Sequence, residues 1–212
     1  MKQEDTKQKI LNTALELFSD RGYDSVSVDE IAKAVGIKAP SLYNHFSGKK
    51  AIFDAIVKEI STEYEKDTDK IDIHVQNFSQ DVQIFSEISA VALFEKVKQI
   101  FEYSLHNEKI RRFRKLMTIE QFKSSELGEL YTERYVTRII NYHADIFRKL
   151  IAAGELQNND PETLAFMYAA PVFTLIGICD RQPEKESECL KKLQNHVQLF
   201  FKTFNISRGN KK

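Results

Sequence analysis

The stretch SVDEIAKAVGIKAPSLYNHFSGKKAI, Ser27 to Ile52, decides the fold of this chain. It reads as two short helices joined by a glycine turn, followed by the start of a longer third helix. Ser27 and Glu30 have the spacing of a capping box, in which each side chain satisfies an orphan amide of the first turn. Val28, Ile31, Ala32 and Val35 follow the i, i+3, i+4, i+7 pattern of one buried stripe. Gly36 stands where the chain must turn left-handed, a conformation glycine adopts without steric cost. Pro40 suits the first turn of the next helix, where its missing N–H would have no partner anyway. Leu42 and Phe46 lie one turn apart on an inner face, leaving Ser41, Tyr43, Asn44 and His45 to point elsewhere. Helix, tight turn, helix is the geometry that sets a short helix into the major groove of DNA.

Outward from this stretch the chain is helical in both directions. Before it, Ile10, Leu11, Ala14, Leu15 and Phe18 mark a helix from about Lys7 to Asp20, ended by Gly22, with residues 1–6 expected to fray. Tyr23 is expected to pack back on this small domain. After it, Ile52, Phe53, Ile56, Val57, Ile60 and Tyr64 carry a fourth helix, with Ser47 as a possible cap. The charged run Glu65 to Asp72 reads as a boundary. A short helix is expected over Asn77 to Glu87, then clear ones through Leu93–Leu105 and Ile110–Phe122. A long one follows through Leu127–Leu150, stopped by Gly154. Asp160-Pro161 opens the next, which Pro171 should kink or break. Pro183 opens the last, where Leu190, Leu193, Val197, Phe200 and Phe204 step by three and four like a coiled-coil seam.

Lys7 to Ile56 resembles the N-terminal DNA-binding domain of TetR-type transcriptional regulators. The pieces that carry the likeness are ALELF at 14–18, RGY at 21–23, VDEIAKAVGI at 28–37 and SLYNHF at 41–46. Gly48, Lys49, Lys50 and AIF at 51–53 complete it. Such coupled positions are far more specific than a lone helix-turn-helix pattern. The resemblance implies an all-α protein with a DNA-binding helix-turn-helix domain over residues 1–52 and a larger effector-binding and dimerisation domain over 53–212. It implies a homodimeric regulator, most often a repressor, that binds a near-palindromic operator in double-stranded DNA and responds to a small-molecule effector. A regulator with no effector is the competing reading.

Bulk properties agree with a helical, soluble-type chain. Of 212 residues, 42% are hydrophobic and 29% charged, with 7 Gly and 4 Pro, too few turn formers for a turn-rich β protein. The 31 basic and 31 acidic residues cancel, so any nucleic-acid affinity must come from local charge rather than net charge. From Gly36 to Lys50 there are three lysines and no acid. The opening MKQEDTKQK lacks the apolar core of a signal peptide, and the apolar run Phe166 to Cys179 is shorter than the ~20 residues a bilayer needs. A cytoplasmic location and no membrane partner are expected. Cys179 and Cys189 lack paired ligand spacing, which suits a structural role in a reducing compartment.

Candidate site residues follow from these readings. By resemblance, Tyr43 contacts phosphate through its hydroxyl and Lys49 as a charge at the start of the fourth helix, with Lys50 adding to it. Lys38, Ala39, Ser41, Asn44 and His45 are candidates for bases or nearby phosphates. No arginine stands on the recognition helix, so the commonest guanine reader is absent. The run Ile110–Lys115 reads as a solvated face, with Arg114 able to turn inward toward a ligand carboxylate. For an effector the candidates are Phe101, His106, Arg114, Met117, Tyr142 and Tyr168, a mix that suits a largely apolar molecule. For the dimer they are Phe173, Leu190, Leu193, Val197, Phe200 and Phe204, since the last two helices of such proteins usually pair with their symmetry mates. The histidines show no ligand spacing, and no nucleophile elbow, phosphate loop or dinucleotide fingerprint appears. No metal, no cofactor and no catalytic residue is expected.

Overall fold

The structure is a computed structural model that describes residues 5–70, 73–74 and 78–204. Every regular element among them is helical: α1 Thr6–Arg21, α2 Val28–Val35, α3 Ala39–Tyr43, α4 Lys49–Asp69, α5 Phe78–Glu87, α6 Ala90–His106, α7 Glu108–Glu120, α8 Ser125–Thr132, α9 Arg138–Ala152, α10 Pro161–Arg181 and α11 Glu186–Phe204. Most of the expected elements are present within a few residues. The expected starts of the frayed tail and of α5, and the end of the charged run, fall partly outside the described residues. The charged run itself does not interrupt the chain: α4 continues through it to Asp69.

Packing divides the molecule into two compact units, residues 1–64 with 107–131, and residues 65–106 with 132–212. The functional division expected at residue 52 is therefore not the packing division. The first 64 residues are completed by α7, which returns to them after the second unit has begun.

In the first unit, α1 buries Ile10, Leu11, Ala14, Leu15 and Phe18. Leu42 is fully buried and Phe46 nearly so, while α4 contributes Ile52, Phe53, Ile56 and Ile60. The Tyr23 ring sits between Phe18 and Phe53, with centroids 5.2 and 5.3 Å away. Helix α7 packs on α1 with Phe113, Leu116 and Met117 wholly buried. Its basic run is not simply solvated, as the sequence suggested. Arg112 pairs with Glu108 and Glu16, Lys115 reaches Asp20 at 2.9 Å, and Arg114 is buried. The charges at the α7 rim are matched to acids on α1, and this directs the helix onto it.

In the second unit the core runs through α5, α6, α9, α10 and α11. The expected long helix through Leu127–Leu150 is present as α8 and α9 joined by a π-helical turn, Glu133–Thr137. The boundary between the units falls beside that turn. Helix α10 begins as read, with the Asp160 carboxylate accepting from Thr163 N–H at 2.7 Å. Pro171 lies inside it without ending it. The neighbouring turns carry the helix past the lost hydrogen bond. Helix α10 is 21 residues long and holds an 18-residue stretch of mean hydropathy 1.6, so by length and composition it is able to cross a membrane, unlike the shorter run read from sequence. Leu164, Ala165, Tyr168, Leu175 and Ile176 nevertheless build one of its faces into the core of the unit.

Candidate nucleic-acid interface

The turn between α2 and α3 is fixed by the chemistry read from sequence. Ser27 and Glu30 form the reciprocal capping box at the start of α2, and Gly36 ends it at φ 83°, ψ 27°. The Ser27 amide, with help from the Arg21 guanidinium, pulls the Glu30 carboxyl down to about 2. Arg21 closes the same loop from the other side by donating to Ser25 O at 3.0 Å and Glu30 Oε1 at 2.7 Å.

Helix α3 is a single short turn-and-a-half anchored by Leu42. Around that anchor Lys38, Ser41, Tyr43, Asn44 and His45 are all exposed, and Ala39 is half-buried. Tyr43 is 53% exposed, an unusual display for a tyrosine with a core available beside it. The structure thus brings six of the eight DNA-contact candidates onto one short segment, with their polar atoms in solvent.

The two lysines that open α4 behave differently from each other. Lys49 is folded back: its Nζ donates to Tyr23 O at 2.9 Å, lies 3.5 Å from Asp24 O, and stands 4.4 Å from the centre of the Tyr23 ring. Lys50 points outward, where it pairs with Asp54 at 3.2 Å and Glu126 at 2.7 Å. Glu126, on α8, lies 76 residues away in the chain, beyond the reach of any spacing rule. It raises the Lys50 pKa, the hydrogen bond to Glu126 being the largest cause. Beneath this pair a groove of about 350 Å³ opens between α4 and α8, walled by Phe53, Val57, Leu127 and Leu130.

The effector candidates are divided between the two units. Arg114 and Met117 belong to α7 in the first unit, while Phe101, His106, Tyr142 and Tyr168 belong to the second. Phe101 is fully buried. His106 is exposed and pairs with Glu186 at 2.9 Å. Tyr142 donates to the buried carboxylate of Asp81, which also accepts from the backbone N–H of His74 at 2.8 Å and meets its ring at 2.7 Å. One space in the second unit, of about 40 Å³, is lined by Phe85, Leu93, Phe147, Tyr168, Phe200 and Phe204 among others. His143 lies in this aromatic cluster, its Nδ1–H donating to Ile139 O, and its surroundings desolvate it enough to bring its pKa down to about 4. Burial likewise pushes the Tyr168 hydroxyl up.

The dimer candidates need correction. Leu193 and Val197 have no exposed surface and Phe200 has 8%. All three are packed into the core of their own chain, which leaves Leu193 and Val197 no surface for a second copy and Phe200 little. Phe173, Leu190 and Phe204 keep part of their surface. The apolar residues displayed nearby are Phe166, Met167 and Leu199, exposed by 57%, 46% and 66%. A heptad-like seam tells which residues are buried, and not whether the chain's own helices or a partner's do the burying. Among the described residues no group of three or more histidines, cysteines or carboxylates is placed to hold a metal.

A capped helix, a left-handed glycine turn and a short exposed helix anchored by one leucine, on an all-helical chain, define a helix-turn-helix protein. Residues 10–56 match the model of the bacterial regulatory proteins of the tetR family. Over that segment the chain is similar to the DNA-binding domain of this family of bacterial regulators. Over 52 residues it is 52% identical to the biofilm operon icaADBC HTH-type negative transcriptional regulator IcaR of Staphylococcus aureus strain Newman, a match covering 24% of this chain and 28% of that protein. The IcaR of Staphylococcus epidermidis is 47% identical over 47 residues, 22% of this chain and 25% of that one. The chain thus spans only about a quarter of the length of these relatives.

Likeness of fold extends further. SmeT, the repressor of the Stenotrophomonas maltophilia multidrug efflux pump SmeDEF, superposes with a TM-score of 0.65 over 97% of this chain and 93% of its own, at 18% identity. SmeT is also known as a triclosan complex. The flavonoid-responsive regulator FrrA gives 0.63 over 95% and 98%, at 21% identity. At these identities the likeness is one of fold.

Proposed function

We propose that this protein is a homodimeric transcriptional repressor that binds a near-palindromic operator through α3 and the start of α4. The observation that carries the reading is the display of Lys38, Ser41, Tyr43, Asn44 and His45 in solvent around the buried Leu42. Side chains that could read base edges or phosphates surround a helix too short to have been built for packing. Tyr43 and Lys49 contact phosphates. Asn44 can pair with adenine, and Ala39 and Ser41 can meet thymine methyls. Two-fold symmetry spaces the half-sites by about 34–36 Å or a multiple. The IcaR relatives, matched in this region, carry the name of negative regulators. The exposed apolar residues Phe166, Met167 and Leu199, with half-buried Phe173, are the surface a second copy covers.

The finer question is the effector. A small, largely apolar molecule would enter the aromatic interior of the second unit, where few polar groups would orient it. Ligand pockets run to about 300–1,000 Å³, against about 40 Å³ of space here. Binding therefore requires the interior to open, and the effector's preference for the opened state sets its effect on DNA. A coupling of about 1–3 kcal/mol changes operator affinity some 5–150-fold. The closed interior also favours a second reading, a regulator with no effector. The two part in one experiment: apolar and aromatic compounds either raise the melting temperature and shift operator affinity together, or do neither.

The DNA-binding reading is tested by the double variant Tyr43→Phe, Lys49→Ala. It is expected to remain a dimer by sedimentation and to lose operator affinity by about a hundredfold, the loss of two phosphate contacts. Unchanged operator affinity would refute the contact assignment.

A further inference from the structure

We propose that Glu120, on α7 and outside the helix-turn-helix sequence, positions Lys49 for phosphate by gripping Tyr23 from the opposite side; this rests on the DNA-binding reading above. The Glu120 side chain is 1% exposed. Its Oε1 accepts from the Tyr23 backbone N–H at 3.2 Å and from Lys123 Nζ at 2.7 Å. The carbonyl of the same Tyr23 accepts from Lys49 Nζ at 2.9 Å, and its ring lies under that ammonium. One residue therefore meets Glu120 at its amide and Lys49 at its carbonyl and ring. Gly22 makes the grip possible. Its φ is +84°, and a Cβ there would stand 2.7 Å from Glu120 Oε1, so a side chain would block the carboxylate from Tyr23.

One oxygen of this carboxylate is paired and the other is a cost to stability. Glu120 Oε2 is buried with no hydrogen-bond partner among the described residues, and burying an ionisable oxygen without a donor costs free energy. An apolar side chain of similar size would remove that cost but leave the Tyr23 N–H and Lys123 Nζ without this acceptor. What the carboxylate adds is an acceptor that fixes the turn at 22–23. Lysine carries a point charge on a flexible stem, with three donors. Fixed carbonyls at Tyr23 and Asp24 engage part of that capacity and hold the ammonium at the start of α4. The remaining donor capacity is left for a phosphate oxygen. Glu120 is thus a positioning residue that acts through Lys49.

A double-mutant cycle tests this, because a residue acting only through Lys49 should matter only when Lys49 is present. The full-length protein selects its operator from random duplexes. Affinities and melting temperatures are then measured for wild type, Glu120→Met, Lys49→Ala, the double variant, and Glu120→Gln. Glu120→Met should weaken binding about tenfold, a loss equivalent to one hydrogen-bonded contact. In the Lys49→Ala background the same change should cost less than about twofold. Glu120→Gln, whose amide oxygen still accepts from Tyr23, should stay within about twofold of wild type. Where Glu120→Met fails to fold, Glu120→Ser, which leaves room for water, serves in the same cycle. Equal losses in both backgrounds, or wild-type affinity in Glu120→Met, would overturn the inference. So would wild-type affinity in Lys49→Ala. A wild-type protein that selects no DNA would instead bring down the DNA-binding reading, and this inference with it.

Discussion

The recognition segment of the first unit and the aromatic interior of the second use polar and aromatic residues in opposite ways. From Lys38 to His45 the chain exposes its chemistry and buries one leucine. In the second unit Phe85, His143, Phe147, Tyr168 and Phe200 turn inward, with ring centroids about 5 to 6 Å apart in the tilted and edge-on contacts that aromatic pairs favour. The first arrangement is stabilised from elsewhere, by the capping box, α1 and α7, and is free to be specific. The second supplies its own stability, so a ligand there must first displace packing. A chain can therefore present an exposed polar segment and a packed aromatic interior at once.

That contrast can be broken most forcefully in the interior. Phe147→Ala should cost about 3–5 kcal/mol of stability, as expected for truncating a fully packed phenylalanine, measured by denaturant unfolding. A loss under about 1 kcal/mol would mean the cluster is a loosely filled pocket. The next effect is on pH. His143 has its pKa depressed in the folded state, so the unfolded chain binds the extra proton as pH falls. Its contribution is present above about 6.5 and is lost progressively toward 4, amounting to roughly 3 kcal/mol. His143→Leu should flatten that limb of a stability-versus-pH curve, and an unchanged limb would place the acid sensitivity elsewhere.

The recognition segment should respond more mildly. Ser27→Ala removes the cap of α2 and should cost about 1 kcal/mol, read from thermal unfolding at neutral pH. Because the Glu30 pKa is depressed to about 2, the capping box is intact above about 4.5 and weakens as pH falls toward that value. The Ser27→Ala penalty should shrink over the same range, and a penalty independent of pH would separate Ser27 from Glu30. Smallest of all, Glu126→Gln removes one acidic partner of Lys50 and should raise operator affinity about two- to threefold at low salt, within the range of an exposed ion pair. Weaker binding in that variant would assign Glu126 a supporting role rather than a competing one.

Legibility followed the same divide. The capping box, Gly36, the Leu42 anchor and the outward set around it could be read because local chemistry alone dictates them. Glu120 and Glu126 could not, since their partners lie 97 and 76 residues away in sequence and no spacing rule links them. The Leu193–Val197–Phe200 seam was legible as buried and misassigned as to what buries it, because periodicity carries no information on whose helix faces it.

The most direct test of the account is selection of bound DNA from a random duplex pool by the full-length protein, repeated at low and moderate salt. The account predicts enrichment of one near-palindrome with half-sites about one helical turn or a multiple apart, bound with an affinity that falls steeply as salt rises. Failure to enrich any sequence at either salt would contradict it.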